Sequence, residues 1–239
     1  MNMEKLRIIG RIHTDFPEKF GIPRQSGLVK GAMGTVIFET EYRSREAFRG
    51  LEGYSHIWIL WGFSKAEREN WSATVKPPRL GGKKRMGVFA TRSPFRPNPI
   101  GMSAVKLEEI VMDEKLGPVL RVSGVDMLDG TPVYDIKPYL PYADSYSEAT
   151  EGFAGKVFGH RLEVVFPDEL LIKVREEHRE SLKEILSQDP RTAYIDDEER
   201  IWGIAYGGVN VRFRVKGNQV RVCEVEELPG GIVPSDVFC

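Results

Sequence analysis

The sequence contains very little cysteine: Cys223 and Cys239 are the two cysteines among 239 residues. Two cysteines are too few for a disulfide framework or a cysteine-based metal site, so we expect a reducing, cytoplasmic location and no bound metal. No apolar run approaches the length that spans a bilayer, and the first residues lack the apolar core of a secretory signal. With 41% hydrophobic and 29% charged residues, the composition is typical of a globular protein that makes no membrane contact.

Several motifs of nucleotide and hydrolytic chemistry are also absent. The sequence has no GxGxxG after a predicted strand, no GxxxxGK[ST], no HExxH and no GxSxG. Classical dinucleotide binding, P-loop phosphoryl transfer, zincin chemistry and nucleophile-elbow hydrolysis therefore lose support.

Acidic residues are missing from one long stretch. Between residues 70 and 107 there is no Asp or Glu, although the net charge of the whole chain is −1. Such asymmetry suits a polyanion such as RNA, whereas a solubilising loop is the simpler alternative. The basic residues of the stretch are Lys76, Arg79, Lys83, Lys84, Arg85, Arg92, Arg96 and Lys106.

Within this stretch, the segment "ATRSPFRPNPIG" (90–101) places three prolines within six residues. Proline fixes its own φ and disfavours helix for the residue before it, so the segment predicts a rigid loop between strands. A loop that is already stiff loses less entropy when its polar groups bind a ligand. Arg92, Arg96 and Asn98 are therefore candidate site residues.

The first 140 or so residues contain short apolar runs separated by Gly/Pro-rich breaks, without long amphipathic helices between them. This pattern favours a mostly antiparallel barrel or sandwich over alternating βαβ units. Short helices are predicted at 43–49 and 65–71. The predicted strands are 6–13, 34–40, 56–63, 86–90, 101–110 and 119–126.

A small α+β domain is predicted after a polar linker at 146–164. Apolar residues from Leu171 to Leu186 recur at helical spacing up to Pro190, and alternation from Val209 predicts a hairpin that turns at Gly217-Asn218. The predicted domains are therefore 1–145 and 165–239. His178 is expected to pack on the helix face, and His56 to be a buried, hydrogen-bonded core residue.

Two further polar loops accompany the proline-rich one. "FGIPRQSGL" (20–28) carries Arg24 and Gln25, and "VDMLDGTPVYDIKPYLPYAD" (125–144) begins with aspartates around a strong turn signal. Taken alone, 20–28 is better explained as an ordinary turn, and 125–144 is explained equally well by a hairpin turn and by a functional site. Together, a cationic and a carboxylate loop match a zwitterionic, nucleoside-bearing ligand.

Four segments closely resemble the TrmO (YaeB, TsaA-like) family: "GIPRQSGLVKGAMG", "LEGYSHIWILWGF", "PPRLGGKKRMGVFATRSPFRPNPIGMS" and "LDGTPVYDIKPYLPYAD". "SQDPRTAY" resembles the bacterial form with a C-terminal domain. The resemblance implies a mainly β fold with an antiparallel β-barrel, a homodimer, and an S-adenosylmethionine-dependent tRNA methyltransferase. Its expected substrate is the N6 atom of threonylcarbamoyl-adenosine, 3′ of the anticodon in threonine tRNA.

The resemblance also implies roles for individual residues. Arg96 and Asn98 would face the acceptor base or its threonyl carboxylate. From the chemistry of methyl transfer to nitrogen, we also expect Asp126 or Asp129 to accept a proton. Apart from the resemblance, positive charge makes Lys83, Lys84, Arg85, Arg212 and Arg214 candidate tRNA contacts, although a solvated strand face explains the last two equally well. Relatives differ at 13–16 and at Ser64, so roles there do not transfer. The expected cosubstrate pocket comprises Pro23, Arg24, Gln25, Phe63, Ser64, Arg92, Met102, Asp126, Met127, Leu128 and Asp129.

Two other functions are compatible with the residues alone. A non-catalytic RNA-binding barrel would explain the basic stretch and the aromatic residues. A metal-dependent hydrolase of a nucleotide-like molecule would explain the paired aspartates.

Overall fold

The structure of the chain, a computed structural model, describes residues 6–64, 71–80, 84–155, 159, 161–191 and 197–229. None of the helices in these ranges is long and apolar enough to cross a membrane. The α-helices are α1 (Pro141–Asp144), α2 (Gly152–Gly155), α3 (Asp168–Leu171) and α4 (Glu176–Ser187). The strands are β1 (Gly10–Thr14), β2 (Met33–Phe38), β3 (His56–Gly62), β4 (Thr74–Val75), β5 (Met86–Gly87), β6 (Ile100–Asp113), β7 (Gly117–Ser123), β8 (Thr131–Pro138), β9 (Glu163–Val165), β10 (Trp202–Tyr206), β11 (Val209–Lys216) and β12 (Gln219–Glu227).

Six strands close into an antiparallel barrel in the order β1-β2-β7-β6-β3-β8. Alternate side chains along each strand point inward because the side-chain period of a strand is two. Closure pairs every barrel strand on both sides and leaves no open edge. The predicted mainly β fold is therefore confirmed. Interior side chains include Ile12, Val36, Ile57, Ile59, Val105, Leu120, Val122 and Val133.

Two strands differ from the sequence expectations: β5, which pairs with β4 in a separate two-stranded sheet, and β8 of the barrel. The run at 86–90 forms a strand only over Met86–Gly87 and then turns into a 3₁₀ helix at Val88–Ala90. Strand β8 was not predicted, because its segment contains prolines and follows a turn signal. Pro138 is its last residue and Pro132 its second, positions near strand ends where a missing N–H is tolerated.

The second unit is a four-stranded sheet in the order β10-β11-β12-β9, against which α4 packs. The predicted hairpin turn lies at Gly217-Asn218, between β11 and β12. The helical periodicity from Leu171 is interrupted, because Arg175 takes an extended conformation (φ −54°, ψ 141°) and α4 starts after it. Strand β9, which begins in the predicted linker and ends one residue beyond it, belongs to this sheet.

One continuous hydrophobic core joins the two units. The ring of Phe16 on the barrel side lies 5.0 Å from the ring of Tyr206 on β10, measured between centroids. Beside them, His178 of α4 is buried as expected, with Nδ1 3.6 Å from a carboxylate oxygen of Asp15. His56, by contrast, is exposed and bonds to Ser55 through its ring, so the expectation of a core position was wrong.

Candidate functional site

Three polar loops meet at the carboxylate of Asp126. We call them loop A (20–28), loop B (90–99) and loop C (124–130). Asp126 of loop C accepts a 2.6 Å hydrogen bond from Ser103 Oγ and another from the backbone of Ser26 in loop A. The Arg92 guanidinium of loop B is close enough to favour its charge. The structure thus brings together three segments that are far apart in sequence.

Burial raises the pKa of Asp126 to about 6, and the hydrogen bonds from Ser103 and Ser26 and the charge of Arg92 oppose that rise. A carboxyl group with such a pKa is an anion at neutral pH and can still take up a proton. Strongly shifted pKa values concentrate at functional sites, so this group marks the junction as a candidate site.

Loop A is held from two directions. Arg92 of loop B donates a hydrogen bond to the side-chain oxygen of Gln25. The Arg24 guanidinium donates to the backbone carbonyls of Asp189 and Arg191, at 3.5 and 3.2 Å. The second unit of the fold therefore contributes to the placement of the barrel's candidate site.

Loop B is stiffened by its own hydrogen bonds as well as by its prolines. Arg96 donates to the carbonyl of Thr91 at 2.8 Å and lies 5.9 Å from the centre of the Phe89 ring. Its guanidinium is thus partly committed to the loop itself. Arg92 and Asn98 are exposed at the loop surface, where they are accessible to a ligand.

The two aspartates of loop C have separate environments. Asp129 accepts hydrogen bonds from the backbone N–H of Thr14 and from Nδ1 of the His13 ring, both at 3.1 Å. Burial raises the pKa of Asp129, but these contacts outweigh it and the net shift is downward. Asp129 is therefore a firmly ionised structural partner of β1, and sequence reasoning did not anticipate its pairing with His13.

Met127 and Leu128 are buried, with 1% and 9% of their surfaces exposed. Their carbonyls accept hydrogen bonds from the hydroxyls of Thr14 and Thr131. Any contact of these two residues with a ligand must therefore use the main chain.

The remaining pocket candidates lie around the ends of β3 and β6. Phe63 packs against Trp61 with ring centres 4.3 Å apart, and Ser64 is exposed directly after it. Met102 points outward from β6 with 52% of its surface exposed, whereas Pro23 is buried. Phe63, Ser64 and Met102 could thus contact a ligand through their side chains, and Pro23 shapes loop A.

Two residues of this region were not predicted as site residues: Trp61 and Ser103. Trp61 Nε1 donates to Ser103 Oγ at 2.9 Å inside the barrel. Ser103 lies between Gly101 and Val105 on the inward face of β6 and has no exposed surface. A polar residue on an otherwise apolar strand face is the signal that could have identified it.

The predicted tRNA contacts occupy different electrostatic settings. Lys84 is exposed in the basic stretch, where Arg85 is bonded to Thr74 of its own hairpin, while Lys83 lies outside the described residues. Arg212 pairs with Glu224 and Glu226, and Arg214 with Glu199. These ion pairs offset the positive charge of the strand face and favour the solvated-face alternative. Among the described residues, no group of three or more His, Cys, Asp or Glu could hold a metal ion.

Comparisons with known proteins give a consistent result. Residues 11–145 match the model of the tRNA-methyltransferase O N-terminal domain, and residues 159–228 match the TrmO C-terminal domain. The chain is 45% identical over 215 residues to a tRNA (adenine(37)-N6)-methyltransferase of Escherichia coli, covering 87% of this chain and 91% of that protein. It is 38% identical to a putative S-adenosylmethionine-dependent methyltransferase of Pseudomonas aeruginosa, over 91% and 95% of the two chains.

A crystal structure of TrmO from Pseudomonas aeruginosa has the same architecture. It superposes with a TM-score of 0.75 at 33% identity and covers 94% of this chain and 100% of that one. The matches extend through both units, in keeping with the shared core between them. Sequence and structure together establish that the chain belongs to the tRNA-methyltransferase O family.

Proposed function

We propose that this protein transfers a methyl group from S-adenosylmethionine to the N6 atom of threonylcarbamoyl-adenosine, immediately 3′ of the anticodon in threonine tRNA. The observation that supports this most is the convergence of loops A, B and C on the largely buried carboxylate of Asp126. The names of the relatives support the general reaction, since those proteins are called tRNA adenine-N6 methyltransferases.

The chemistry of the junction fits this cosubstrate. S-adenosylmethionine combines a sulfonium cation, an amino-acid group and an adenosine, and it supplies an electrophilic methyl group when bound. The carboxylate of Asp126 complements positive charge, and Arg92 and Gln25 can bind carboxylate or hydroxyl oxygens. Phe63 and Met102 offer apolar surface for a nucleobase. We propose that these residues, with Arg24, Ser64 and the main chain of 127–129, form the cosubstrate site.

Methyl transfer to nitrogen requires orientation of two reactants and the loss of a proton from the acceptor. We propose that the Asp126 carboxylate serves both requirements. Its negative charge complements the cationic methyl donor, and it accepts the proton that leaves the acceptor nitrogen. Arg92 and Arg96 would stabilise negative charge that develops on the acceptor, and Asn98 would orient it. Stiffness of loop B keeps these groups in place before the substrate binds.

The basic stretch around Lys84 and Arg85 is proposed to bind the tRNA backbone. Cationic residues without nearby acids attract phosphates and make binding sensitive to salt. We also propose a homodimer, in which a second copy covers the apolar surface next to loop B. Phe89 and Met102 support this, with 72% and 52% of their surfaces exposed. Light scattering of the purified protein would measure the oligomeric state.

The direct test of the proposed function is an assay with purified protein, S-adenosylmethionine and threonine tRNA carrying or lacking the threonylcarbamoyl group. Nucleosides are analysed by mass spectrometry after digestion. A gain of one methyl group on threonylcarbamoyl-adenosine, and none on unmodified adenosine, would support the proposal. Methylation of both would remove the requirement for the modified substrate. Binding of tRNA without methylation would support the non-catalytic RNA-binding alternative.

A further inference from the structure

A chain of hydrogen bonds connects the barrel interior with the candidate site. Trp61 Nε1 lies 2.9 Å from Ser103 Oγ, and Ser103 Oγ lies 2.6 Å from Asp126 Oδ1. Ser103 is completely buried and Trp61 is 6% exposed. The middle hydroxyl is therefore shielded from solvent, and its hydrogen bonds are made within the protein.

The direction of both hydrogen bonds follows from the chemistry of the groups. An indole N–H can only donate, so Ser103 Oγ must accept from Trp61. A serine hydroxyl has one proton, and the other neighbour of this hydroxyl is Asp126. Ser103 therefore donates to Asp126 Oδ1, which must act as an acceptor. This arrangement favours the ionised carboxylate, because hydrogen bonds to the charged form stabilise it.

The indole is fixed by its surroundings. Trp61 pairs with Gly101 across β3 and β6, and a Cβ at position 101 would overlap the indole ring. Phe63 also packs against this indole, with ring centroids 4.3 Å apart. The glycine thus leaves the space through which Trp61 reaches Ser103, two residues further along the same strand face.

We propose that Trp61 and Ser103 are positioning residues of the methyltransferase site: they hold Asp126 as an oriented anion toward the cationic methyl donor. This inference rests on the proposed function of Asp126. It assigns a purpose to a buried polar chain inside an apolar barrel, where polar groups are costly to bury unless they are hydrogen-bonded. It also explains a glycine at position 101, where a side chain would displace the donor of the first hydrogen bond.

The test compares S-adenosylmethionine affinity as a function of pH for the wild-type protein and for Ser103→Ala. Loss of a hydrogen bond to a charged group is expected to weaken binding about tenfold near neutral pH. The affinity is expected to fall when Asp126 takes up a proton. Because the Ser103 hydrogen bond opposes the upward pKa shift of Asp126, its loss moves this fall in affinity to higher pH. Alkaline pH then recovers part of the lost affinity. Ser103→Thr keeps the hydroxyl and is expected to retain the wild-type pH midpoint. Trp61→Phe is expected to shift the pH midpoint in the same direction as Ser103→Ala does, but by a smaller amount.

The matched control is Ser123→Ala, since Ser123 is also a buried barrel serine but donates to Glu108. It is expected to leave both the affinity and its pH midpoint unchanged. If the wild-type protein binds S-adenosylmethionine, and Ser103→Ala has the same affinity as Ser123→Ala at every pH, the positioning role is refuted and the proposed function stands. If the wild-type protein binds no S-adenosylmethionine, the proposed function itself fails.

Urea denaturation provides a readout that does not depend on binding. In the Asp126→Asn background the titrating group is gone, so Ser103→Ala should no longer change the pH dependence of stability. An equal change in both backgrounds would refute the link between Ser103 and Asp126.

Discussion

Replacement of Asp126 by asparagine should stabilise the protein while it abolishes cosubstrate binding. Asparagine has nearly the same shape and can still accept the hydrogen bond from Ser103. Folding raises the pKa of this carboxyl from its ordinary value of 3.8 to about 6, so ionised Asp126 opposes folding. A difference of about two pKa units corresponds to about 3 kcal/mol, since one unit is about 1.4 kcal/mol.

The sign of this effect depends on pH. A group whose pKa is raised by folding contributes its full stability below its unfolded pKa, and loses that contribution as the pH rises through the folded pKa. The advantage of Asp126→Asn over the wild-type protein should therefore be below about 1 kcal/mol near pH 4 and approach about 3 kcal/mol at pH 7 or above. For a chain of this size that is a gain of about 6–12 °C in melting temperature.

The measurement is thermal and urea denaturation of both proteins across this pH range. Asp129→Asn is the matched control, because it lies three residues away and its pKa is shifted downward. Loss of the Asp129 charge should destabilise the protein at pH values above the ordinary pKa of aspartate. This loss of stability should disappear in acid. If Asp126→Asn showed a constant stability difference at all pH values, or a loss at neutral pH, the assignment of a buried, destabilised carboxylate would be wrong.

Three further predictions address the ligand, the core and the tRNA surface. Arg92→Ala should weaken S-adenosylmethionine binding at least about tenfold in calorimetric titration, as expected for loss of a charged hydrogen-bond donor. Lys84→Ala should leave this affinity unchanged. If the two variants changed the affinity equally, the pocket would lie elsewhere. Phe16→Ala should lower the free energy of unfolding by about 3–5 kcal/mol and lower the melting temperature of both units together, because the Phe16 ring packs across the shared core. Two separate transitions in calorimetry would show that the units unfold independently. Lys84→Ala should reduce the salt dependence of tRNA binding more than the double variant Arg212→Ala/Arg214→Ala does, because Arg212 and Arg214 are already paired with glutamates in the wild-type protein. The opposite order of effects in filter binding would assign the tRNA contact to the second unit.

Strand periodicity predicted most of the barrel, because inward-facing residues such as Ile57 and Ile59 alternate with more exposed ones over several positions. It failed where local signals conflict with tertiary pairing. Strand β8 carries Pro132 and Pro138, which indicate a loop in isolation, yet both lie near the ends of the strand, where the barrel tolerates them. His56 lies in an apolar run, but its place at the first residue of β3 leaves it in solvent.

The candidate site was predicted in part, for similar reasons. Loops A, B and C were identified because proline, glycine and charged residues concentrate in them, and these are properties of local sequence. The difference between Asp126 and Asp129 was not predictable from the turn signal that they share. One carboxylate contacts Ser103 and Ser26, the other His13 and Thr14, and those partners come from distant strands and loops.

The sequence by itself determined the elements and their chemistry: alternating apolar runs that form strands, a loop stiffened by prolines, and a basic stretch free of acids. The tertiary structure decided which polar groups meet. Barrel closure placed Ser103 of β6 beneath Asp126 of loop C, and the shared core brought Asp189 and Arg191 to Arg24 of loop A. The physical reason is that burial and hydrogen bonding, which set the charge of a group such as Asp126, depend on neighbours in space, and local sequence does not specify them.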